Sequence, residues 1–147
     1  MNVAGKIVKI LEEEGIDTVF GIPGEQIMPL YGALSKGNVK HVLTRHEQGA
    51  THAADGYARS SGKIGVCITT ASPGALNTTM AVATAYLDSL PLLVLTGDNE
   101  LKYRGTNHFQ TTPQVEILEN ITRASYNPLN GTEAMYVLRA AIYELKN

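Results

Sequence analysis

The chain has 147 residues, 44% of them hydrophobic and 18% charged, which fits one globular domain with a substantial core and excludes a disordered chain. Its net charge of −2 gives no indication of a nucleic-acid partner, because such proteins carry a basic surface. No apolar run approaches the ~18 residues of a membrane span, and the N-terminus lacks a signal-peptide pattern, so a cytoplasmic protein is predicted.

Helical and extended patterns alternate along the first half of the chain. Apolar residues at helical spacing predict a first helix from Val3 to Leu11, which Asn2 can cap and Gly15 can end. The pattern then predicts a strand (17–20), a glycine turn (21–24), a helix (27–34), a strand (40–44) and a helix rich in small residues (46–60).

The second half continues the alternation and predicts the fold class. It predicts an apolar strand (64–70), a turn (71–74), a helix (75–87), a second apolar strand (91–96), a polar loop (98–112), a short helix (114–119), a last strand (122–126) and a final helix from Thr132. Continuous apolar strands between helices are typical of a parallel sheet. We therefore predict a single doubly wound α/β domain over residues 1–147, with a parallel sheet flanked by helices.

Ligands of such sheets bind at the carboxyl ends of the strands. Four segments are predicted to emerge there: residues 21–25, 45–48, 70–77 and 97–110. Candidate functional residues are therefore sought in these four segments.

Histidines and the single cysteine do not form a metal-binding pattern. His46-Glu47 begins like a zinc-binding helix, but the second histidine would be residue 50, which is Ala50. His52 lies more than half a turn from the same helix face. Cys67 lies in an apolar run and is predicted to be a buried hydrophobe. No metal site is predicted on this chain.

Two glycine-containing segments carry weak signals. Gly21-Ile-Pro-Gly24 lies between a strand and a helix, but it lacks the third glycine of a dinucleotide site and the Lys-Ser/Thr of a P-loop. It is compatible both with a phosphate cradle and with an ordinary tight turn. Gly97-Asp98-Asn99 is interpreted as a loop.

Seven segments together carry a family resemblance. They are Val19-Phe-Gly-Ile-Pro-Gly24, Ile27-Met-Pro-Leu-Tyr31, Arg45-His-Glu-Gln-Gly-Ala50, His52-Ala-Ala-Asp-Gly-Tyr-Ala-Arg59, Ser72-Pro-Gly-Ala75 with Asn77, Pro91-Leu-Leu-Val-Leu-Thr-Gly97, and Phe109-Gln110. In order and spacing they resemble the N-terminal, pyrimidine-binding (Pyr) domain of thiamine-diphosphate enzymes related to acetolactate synthase. Each segment alone is weak, and the set spans nearly the whole chain.

Glu47 is the main catalytic candidate. Taken alone it is an ordinary glutamate in the first turn of a helix. The resemblance implies that it hydrogen-bonds N1′ of the thiamine diphosphate aminopyrimidine and so activates C2 of the thiazolium. The helix N-terminus stabilises the anion by ~0.3–1 kcal/mol, whereas burial can raise a carboxylate pKa by up to ~3–5 units. We expect burial to dominate where a partner domain closes the site.

The resemblance implies roles for nine further residues. Thr70, Pro73, Gly74 and Asn77 are expected near the aminopyrimidine, Pro23 and Gly24 near the reaction centre, and Glu25, Phe109 and Gln110 towards the substrate. Without the resemblance, Pro73-Gly74 is a strand-to-helix turn and Asn77 a helix residue.

The chain departs from the family at substrate-facing positions. Ala71-Ser72 stands where acetolactate synthases have Ser-Gly, Leu76 where they have Thr, Thr111 where they have a carboxylate, and Glu25 where they have a small residue; His108 precedes Phe109. These changes leave the substrate less defined than the cofactor.

The resemblance covers only half of a complete site. The family's Gly-Asp-Gly…Asn segment, which holds Mg²⁺ and the diphosphate, has no counterpart, so both are expected on a partner domain or subunit. The expected function is the pyrimidine-binding half of an enzyme that decarboxylates and ligates 2-oxo acids, and the isolated chain is not assigned an activity. Alternatives are the Pyr subunit of a two-subunit 2-oxo acid decarboxylase and a non-catalytic dimerising or regulatory domain. A homo-oligomer is expected, with the alanine-rich helices (50–58 and 75–85) as the exposed apolar contact surface.

Overall fold

Four parallel strands and seven helices make up the computed structural model, which describes all residues from Met1 to Asn147. The strands are β1 (Thr18–Gly21), β2 (Lys40–Leu43), β3 (Gly65–Thr69) and β4 (Leu92–Thr96), in the order β2-β1-β3-β4. The helices are α1 (Val3–Glu13), α2 (Met28–Leu34), α3 (Glu47–Ser61), α4 (Pro73–Leu76), α5 (Thr79–Leu87), α6 (Gln114–Leu118) and α7 (Gly131–Lys146).

The parallel register brings the ends of all four strands to one edge. Gly21 of β1 pairs with Leu43 of β2 and with Ile68 of β3, and Thr69 pairs with Thr96 of β4. We call this side the carboxyl edge and the opposite side the amino edge. The loops that follow the strands therefore meet at the carboxyl edge, as the sequence predicted.

Side chains alternate along the strands and build a core on each face of the sheet. Val66 and Ile68 join α1, α2 and α7 in the larger core, whereas Cys67 points to the other face and packs with Ala50 and Ala54 of α3. Helices thus cover both faces of a parallel sheet. This arrangement confirms the predicted α/β fold class.

The first helix begins and ends where the sequence predicted. The Asn2 side chain accepts a hydrogen bond from the Gly5 amide at 2.9 Å, which satisfies one of the free donors at the helix start. Gly15 follows the helix with a φ of 78°, a left-handed conformation that glycine adopts without strain.

The predicted last strand is wrong. Residues 122–126 form no ladder with β4, which remains the edge of the sheet. The Thr122 hydroxyl contacts the Leu118 carbonyl at 2.9 Å and the Ser125 hydroxyl at 2.8 Å, and such local bonds compete with strand pairing. The segment instead lines an apolar cavity of about 610 Å³ between β4 and α7.

The predicted helix over residues 75–87 is divided in two. It begins earlier, at Pro73, and a turn at Asn77 and Thr78 separates α4 from α5. The Thr78 hydroxyl donates to the Ala75 carbonyl at 2.6 Å, and the Thr78 amide bonds that same carbonyl at 3.1 Å. This tight local bonding interrupts the regular helical ladder directly after Asn77, whose amide still bonds the Pro73 carbonyl at 3.2 Å.

The predicted apolar contact surface is also corrected. The alanines of α3 and α5 are buried inside the chain: Ala50, Ala54, Ala58, Ala81 and Ala85. They allow α3 to pack closely on the sheet and on α5. The exposed large hydrophobic side chains of this region are Met80, Tyr86 and Leu87. None of the seven helices has the combination of length and hydropathy that a membrane-spanning helix requires.

Candidate active site

Glu47 stands at the carboxyl edge as the first residue of α3. The helix begins there because the His46 ring accepts a hydrogen bond from the Gln48 amide at 3.1 Å, which caps the first turn. Thr44 donates its hydroxyl to the His46 carbonyl at 3.2 Å and fixes the approach from β2. Local capping therefore places the Glu47 carboxylate just beyond the sheet.

Both oxygens of the Glu47 carboxylate have a defined neighbour. Oε2 accepts a hydrogen bond from Asn77 Nδ2 at 3.0 Å. Oε1 has no hydrogen-bond partner in the chain and faces Gly74, where an added methyl carbon would lie 3.2 Å from it. The side chain is half-buried. Asn77 thus orients the carboxylate, and the free Oε1 borders the small space left by the missing side chain of Gly74, which we call the gap.

Thr70, directly after β3, forms another wall of the same gap. A methyl carbon on Gly74 would lie 2.9 Å from Thr70 Cγ2, and one on Gly24 would lie only 2.4 Å from Thr70 Cβ. Only glycine fits at position 24 without displacing Thr70, which explains the second glycine of the turn after β1. The structure therefore brings Gly24, Thr70, Gly74, Asn77 and Glu47 together.

Other residues expected at the site lie at its margin. Pro23, Glu25 and Pro73 are exposed, and no hydrogen bond links their side chains to the Glu47 cluster. Phe109 is 70% exposed, and Gln110 has a φ of 58°, which is uncommon for a residue other than glycine. These five residues border the group around Glu47 rather than joining it.

The loop that carries Phe109 is nevertheless fixed beside the site. The Thr112 amide donates to Ser72 Oγ at 2.9 Å, and Ser72 lies between Thr70 and Pro73. Asn99 Nδ2 donates to the Phe109 carbonyl and to Thr111 Oγ1, each at 2.9 Å. Gly97-Asp98-Asn99 is a loop, as predicted, and it serves here to hold the segment with Phe109.

The interior beneath the site is kept uncharged. Burial, partly opposed by the Thr51 hydroxyl and reinforced by the Glu47 charge, raises the pKa of the Cys67 thiol to about 11. Burial, followed by repulsion from Cys67 and Glu47, also raises the pKa of Tyr31. Both groups stay protonated near neutral pH. No group of three or more His, Cys, Asp or Glu side chains is arranged to hold a metal ion.

Gln26 was missed altogether from the sequence, and for Ser72, noted only in the comparison with the family, the contact seen in the structure was not predicted. Gln26 Oε1 accepts a hydrogen bond from the Thr70 hydroxyl at 2.7 Å. Ser72 accepts a hydrogen bond from the Thr112 amide and so anchors the loop that carries Phe109. Neither has a spacing signal, since both act across elements distant in sequence. The only feature of the sequence that could have identified Gln26 as a site residue is its position directly after the glycine turn and Glu25.

Comparison with known proteins identifies the family of this chain. The family model described as thiamine pyrophosphate enzyme, N-terminal TPP binding domain, matches residues 1–117. The chain is 43% identical over 141 residues to a probable acetolactate synthase large subunit of Methanocaldococcus jannaschii, covering 96% of this chain and 24% of that protein. Acetolactate synthase large subunits of Lactococcus lactis (44% identical, 90% of this chain, 24% of that protein) and Escherichia coli (isozyme 2; 50% identical, 80% and 21%) are also similar. The chain thus spans about a quarter of the length of the curated relatives it matches.

Proposed function

Because this chain belongs to the thiamine pyrophosphate enzymes, as their N-terminal TPP binding domain, we propose that it supplies the pyrimidine-binding half of an active site that acts on 2-oxo acids. The proposed reaction class is the decarboxylation and carboligation that the name acetolactate synthase describes for the relatives. Residues 1–147 form the Pyr domain in this proposal.

The observation that supports the proposal most strongly is the free oxygen of Glu47. Oε1 faces the gap at Gly74, while Asn77 holds Oε2 at 3.0 Å. A methyl group at Gly74 would crowd Oε1, so glycine keeps this oxygen accessible to a weakly basic ring nitrogen. The residues present therefore fit the aminopyrimidine of thiamine diphosphate.

Each residue of the cluster has a physical task in this proposal. Glu47 shares a proton with the ring nitrogen through Oε1, and Asn77 fixes the carboxylate plane. Gly74 and Gly24 provide space, Thr70 lines the gap, and Pro23 and Pro73 flank it. Glu25, Phe109 and Gln110 are proposed to face the substrate. The bound cofactor supplies the electron sink for decarboxylation.

The other half of the site is proposed to come from a further domain or subunit. Mg²⁺ and the diphosphate group would be held there, since the relatives are about four times longer than this chain. Leu43 and Phe109, exposed at 67% and 70%, give the carboxyl edge an apolar surface that a partner can cover. We include a homo-oligomer in the proposal, and a reducing, cytoplasmic setting that the single buried thiol of Cys67 supports.

A chimeric enzyme tests the proposal. This chain replaces the matching N-terminal segment of the Lactococcus lactis acetolactate synthase large subunit, to which it is 44% identical. With thiamine diphosphate and Mg²⁺, the chimera is expected to release CO₂ from pyruvate. Glu47→Gln should slow exchange of the cofactor C2 proton, followed by NMR in D₂O, by about 10²- to 10⁴-fold, the range of acid–base contributions.

Glu116→Gln is the matched control, because Glu116 also lies in the first turn of a helix but is exposed and has no side-chain hydrogen bond in the chain. It should exchange at the unsubstituted rate. Equal exchange rates for Glu47→Gln and the unsubstituted chimera would contradict the proposed role of Glu47. A folded chimera that releases no CO₂ and exchanges no C2 proton would favour a non-catalytic domain.

A further inference from the structure

Gln26 occupies a junction between three strand ends at the carboxyl edge. It lies in the 3₁₀ turn Glu25–Ile27, which follows β1. A methyl carbon on Gly97, after β4, would lie 3.0 Å from the backbone and Cβ of Gln26, so the two segments touch directly. The Gln26 side chain reaches Thr70, after β3, with its Oε1 2.7 Å from the Thr70 hydroxyl. The backbone of Gln26 is therefore fixed by β4 and its side chain by β3.

This hydrogen bond decides which group of Thr70 faces the gap at Gly74. Threonine carries a methyl and a hydroxyl on one carbon, and its χ1 rotamer assigns each to a direction. With the hydroxyl held by Gln26, the methyl Cγ2 is the atom nearest to Gly74. Gly74 also borders Glu47 Oε1. The wall opposite the free carboxylate oxygen is consequently apolar.

We propose that Gln26 is a positioning residue that turns the Thr70 hydroxyl away from the gap and so reserves Glu47 Oε1 for the cofactor. If the Thr70 rotamer changed, a hydroxyl donor would border the same gap as Oε1. That donor would compete for the carboxylate oxygen that the proposed function assigns to the ring nitrogen. The inference rests on the proposed function for its consequence, whereas the Thr70 rotamer itself is independent of any cofactor.

The rotamer is measured in the 147-residue chain without cofactor. Three-bond ¹³C couplings from the Thr70 methyl to the backbone nitrogen and carbonyl carbon report χ1, and the unsubstituted chain should show one rotamer. Gln26→Leu removes the acceptor at similar size and should give averaged couplings. Gln26→Glu keeps an acceptor oxygen and should restore one rotamer. Gln48→Leu, the same substitution at an exposed glutamine, should leave the Thr70 couplings unchanged.

The functional consequence is measured in the chimera with a double-mutant cycle. Gln26→Leu should slow exchange of the cofactor C2 proton by about three- to tenfold, the range that one neutral hydrogen bond spans. In the Thr70→Val background, which has no hydroxyl to misplace, Gln26→Leu should have no further effect.

Unchanged Thr70 couplings in Gln26→Leu would overturn the inference, and so would additive effects of the two substitutions on exchange. Failure of the proposed function is recognised separately. In that case Glu47→Gln leaves exchange unaffected, while the couplings still report whether Gln26 holds Thr70.

Discussion

Single atoms at Gly74 decide how accessible Glu47 Oε1 is at the candidate site. The gap there is bordered by Glu47 Oε1 and Thr70 Cγ2, at 3.2 Å and 2.9 Å from the position of an added methyl carbon. The second distance is shorter than carbon atoms in contact adopt, so a side chain at this position would displace Thr70 or protrude into the gap.

Gly74→Ala is therefore expected to weaken cofactor binding more than it weakens the fold. Overpacking at such contacts typically costs ~1–3 kcal/mol, which corresponds to about a 5- to 150-fold higher apparent dissociation constant if the gap bears the clash. The measurement is a thiamine diphosphate titration of C2 proton exchange in the chimera, with the melting temperature recorded in parallel.

Gly56→Ala serves as the comparison because an added methyl there meets nothing within 4 Å. Gly56 lies inside α3, where alanine is favoured over glycine by ~0.5–1 kcal/mol, so this variant should melt higher and bind cofactor normally. If Gly74→Ala titrates like Gly56→Ala, the gap at Gly74 is not the ring site.

Cys67 gives the fold a dependence on alkaline pH. Its pKa is raised from 9.0 to about 11, chiefly by burial, so the folded chain holds the thiol proton more tightly than the unfolded chain does. The resulting contribution of Cys67 to the free energy of unfolding is fully present below pH 9 and is lost as the pH rises towards 11. Urea unfolding from pH 8 to 11 should show a falling free energy of unfolding.

Cys67→Ala should reduce that fall, since alanine does not titrate. Tyr31 remains in both proteins; its pKa is raised mainly by burial and to a smaller degree by Cys67, so the change in slope reports the thiol together with its effect on Tyr31. If the free energy of unfolding falls equally with pH in the two proteins, Cys67 does not cause the loss of stability at alkaline pH.

At the scale of elements, apolar runs were sufficient to predict the sheet. The two continuous runs became β3 and β4: β3 is buried at every position, as expected for a strand with helices on both faces, whereas β4, at the edge of the sheet, is mostly half-buried. The prediction failed at residues 122–126 and at Asn77, where Thr122 and Thr78 bond nearby carbonyls. Such local hydrogen bonds leave no trace in hydrophobic spacing.

The site was predictable only in part for a related reason. The rule that ligands meet the carboxyl ends of strands predicted that the segments of Glu47 and Thr70 converge, and the structure brings both residues together. The contact between Gln26 and Thr70 depends on side-chain direction across 44 positions of sequence, which no local pattern encodes. The same holds for Ser72 and Thr112.

The hydrogen bonds at the start of the final helix, α7, provide a test at the scale of one element. Asn130 Oδ1 accepts a hydrogen bond from the Glu133 amide at 2.9 Å, and the Glu133 carboxylate accepts one from the Leu129 amide at 2.8 Å, so both side chains stabilise the start of α7. Leu138 and Ile142 of α7 lie in the main core, so fraying of this helix affects the whole domain.

Asn130→Ala should lower the free energy of unfolding by ~0.5–2 kcal/mol. Asn130→Ser keeps a capping oxygen and should lose only a small part of that stabilisation. Urea unfolding followed by circular dichroism measures both. Equal losses for alanine and serine would mean that the side-chain cap does not stabilise α7.

At the scale of the whole molecule, charge is distributed differently over the two edges of the sheet. At the amino edge, Asp17 accepts hydrogen bonds from Lys63 at 2.5 Å and from the Tyr57 hydroxyl at 2.7 Å. Nearby, Lys146 of α7 binds Glu14 at 2.6 Å. At the carboxyl edge, Glu47 has no cationic partner and is held by an amide alone. The amino edge is thus tied by ion pairs, whereas the carboxyl edge keeps an unpaired carboxylate for chemistry.

This division predicts that the two edges can be altered independently, and Asp17→Asn tests it. Hydrogen bonds from Lys63 and Tyr57 hold the pKa of Asp17 well below its ordinary 3.8. The contribution of Asp17 to the free energy of unfolding is therefore present above pH 3.8 and is lost as the pH falls further. Because the side chain is 50% exposed, solvent screening keeps that contribution modest. The substituted chain should have a lower urea midpoint at pH 7, and its free energy of unfolding should decline less from pH 4 to 2 than that of the original chain.

In the chimera, C2 proton exchange should be unchanged by Asp17→Asn, because the partners of Asp17 lie at the opposite edge from Glu47. A slower exchange rate in a fully folded Asp17→Asn chimera would show instead that the amino edge is coupled to the site.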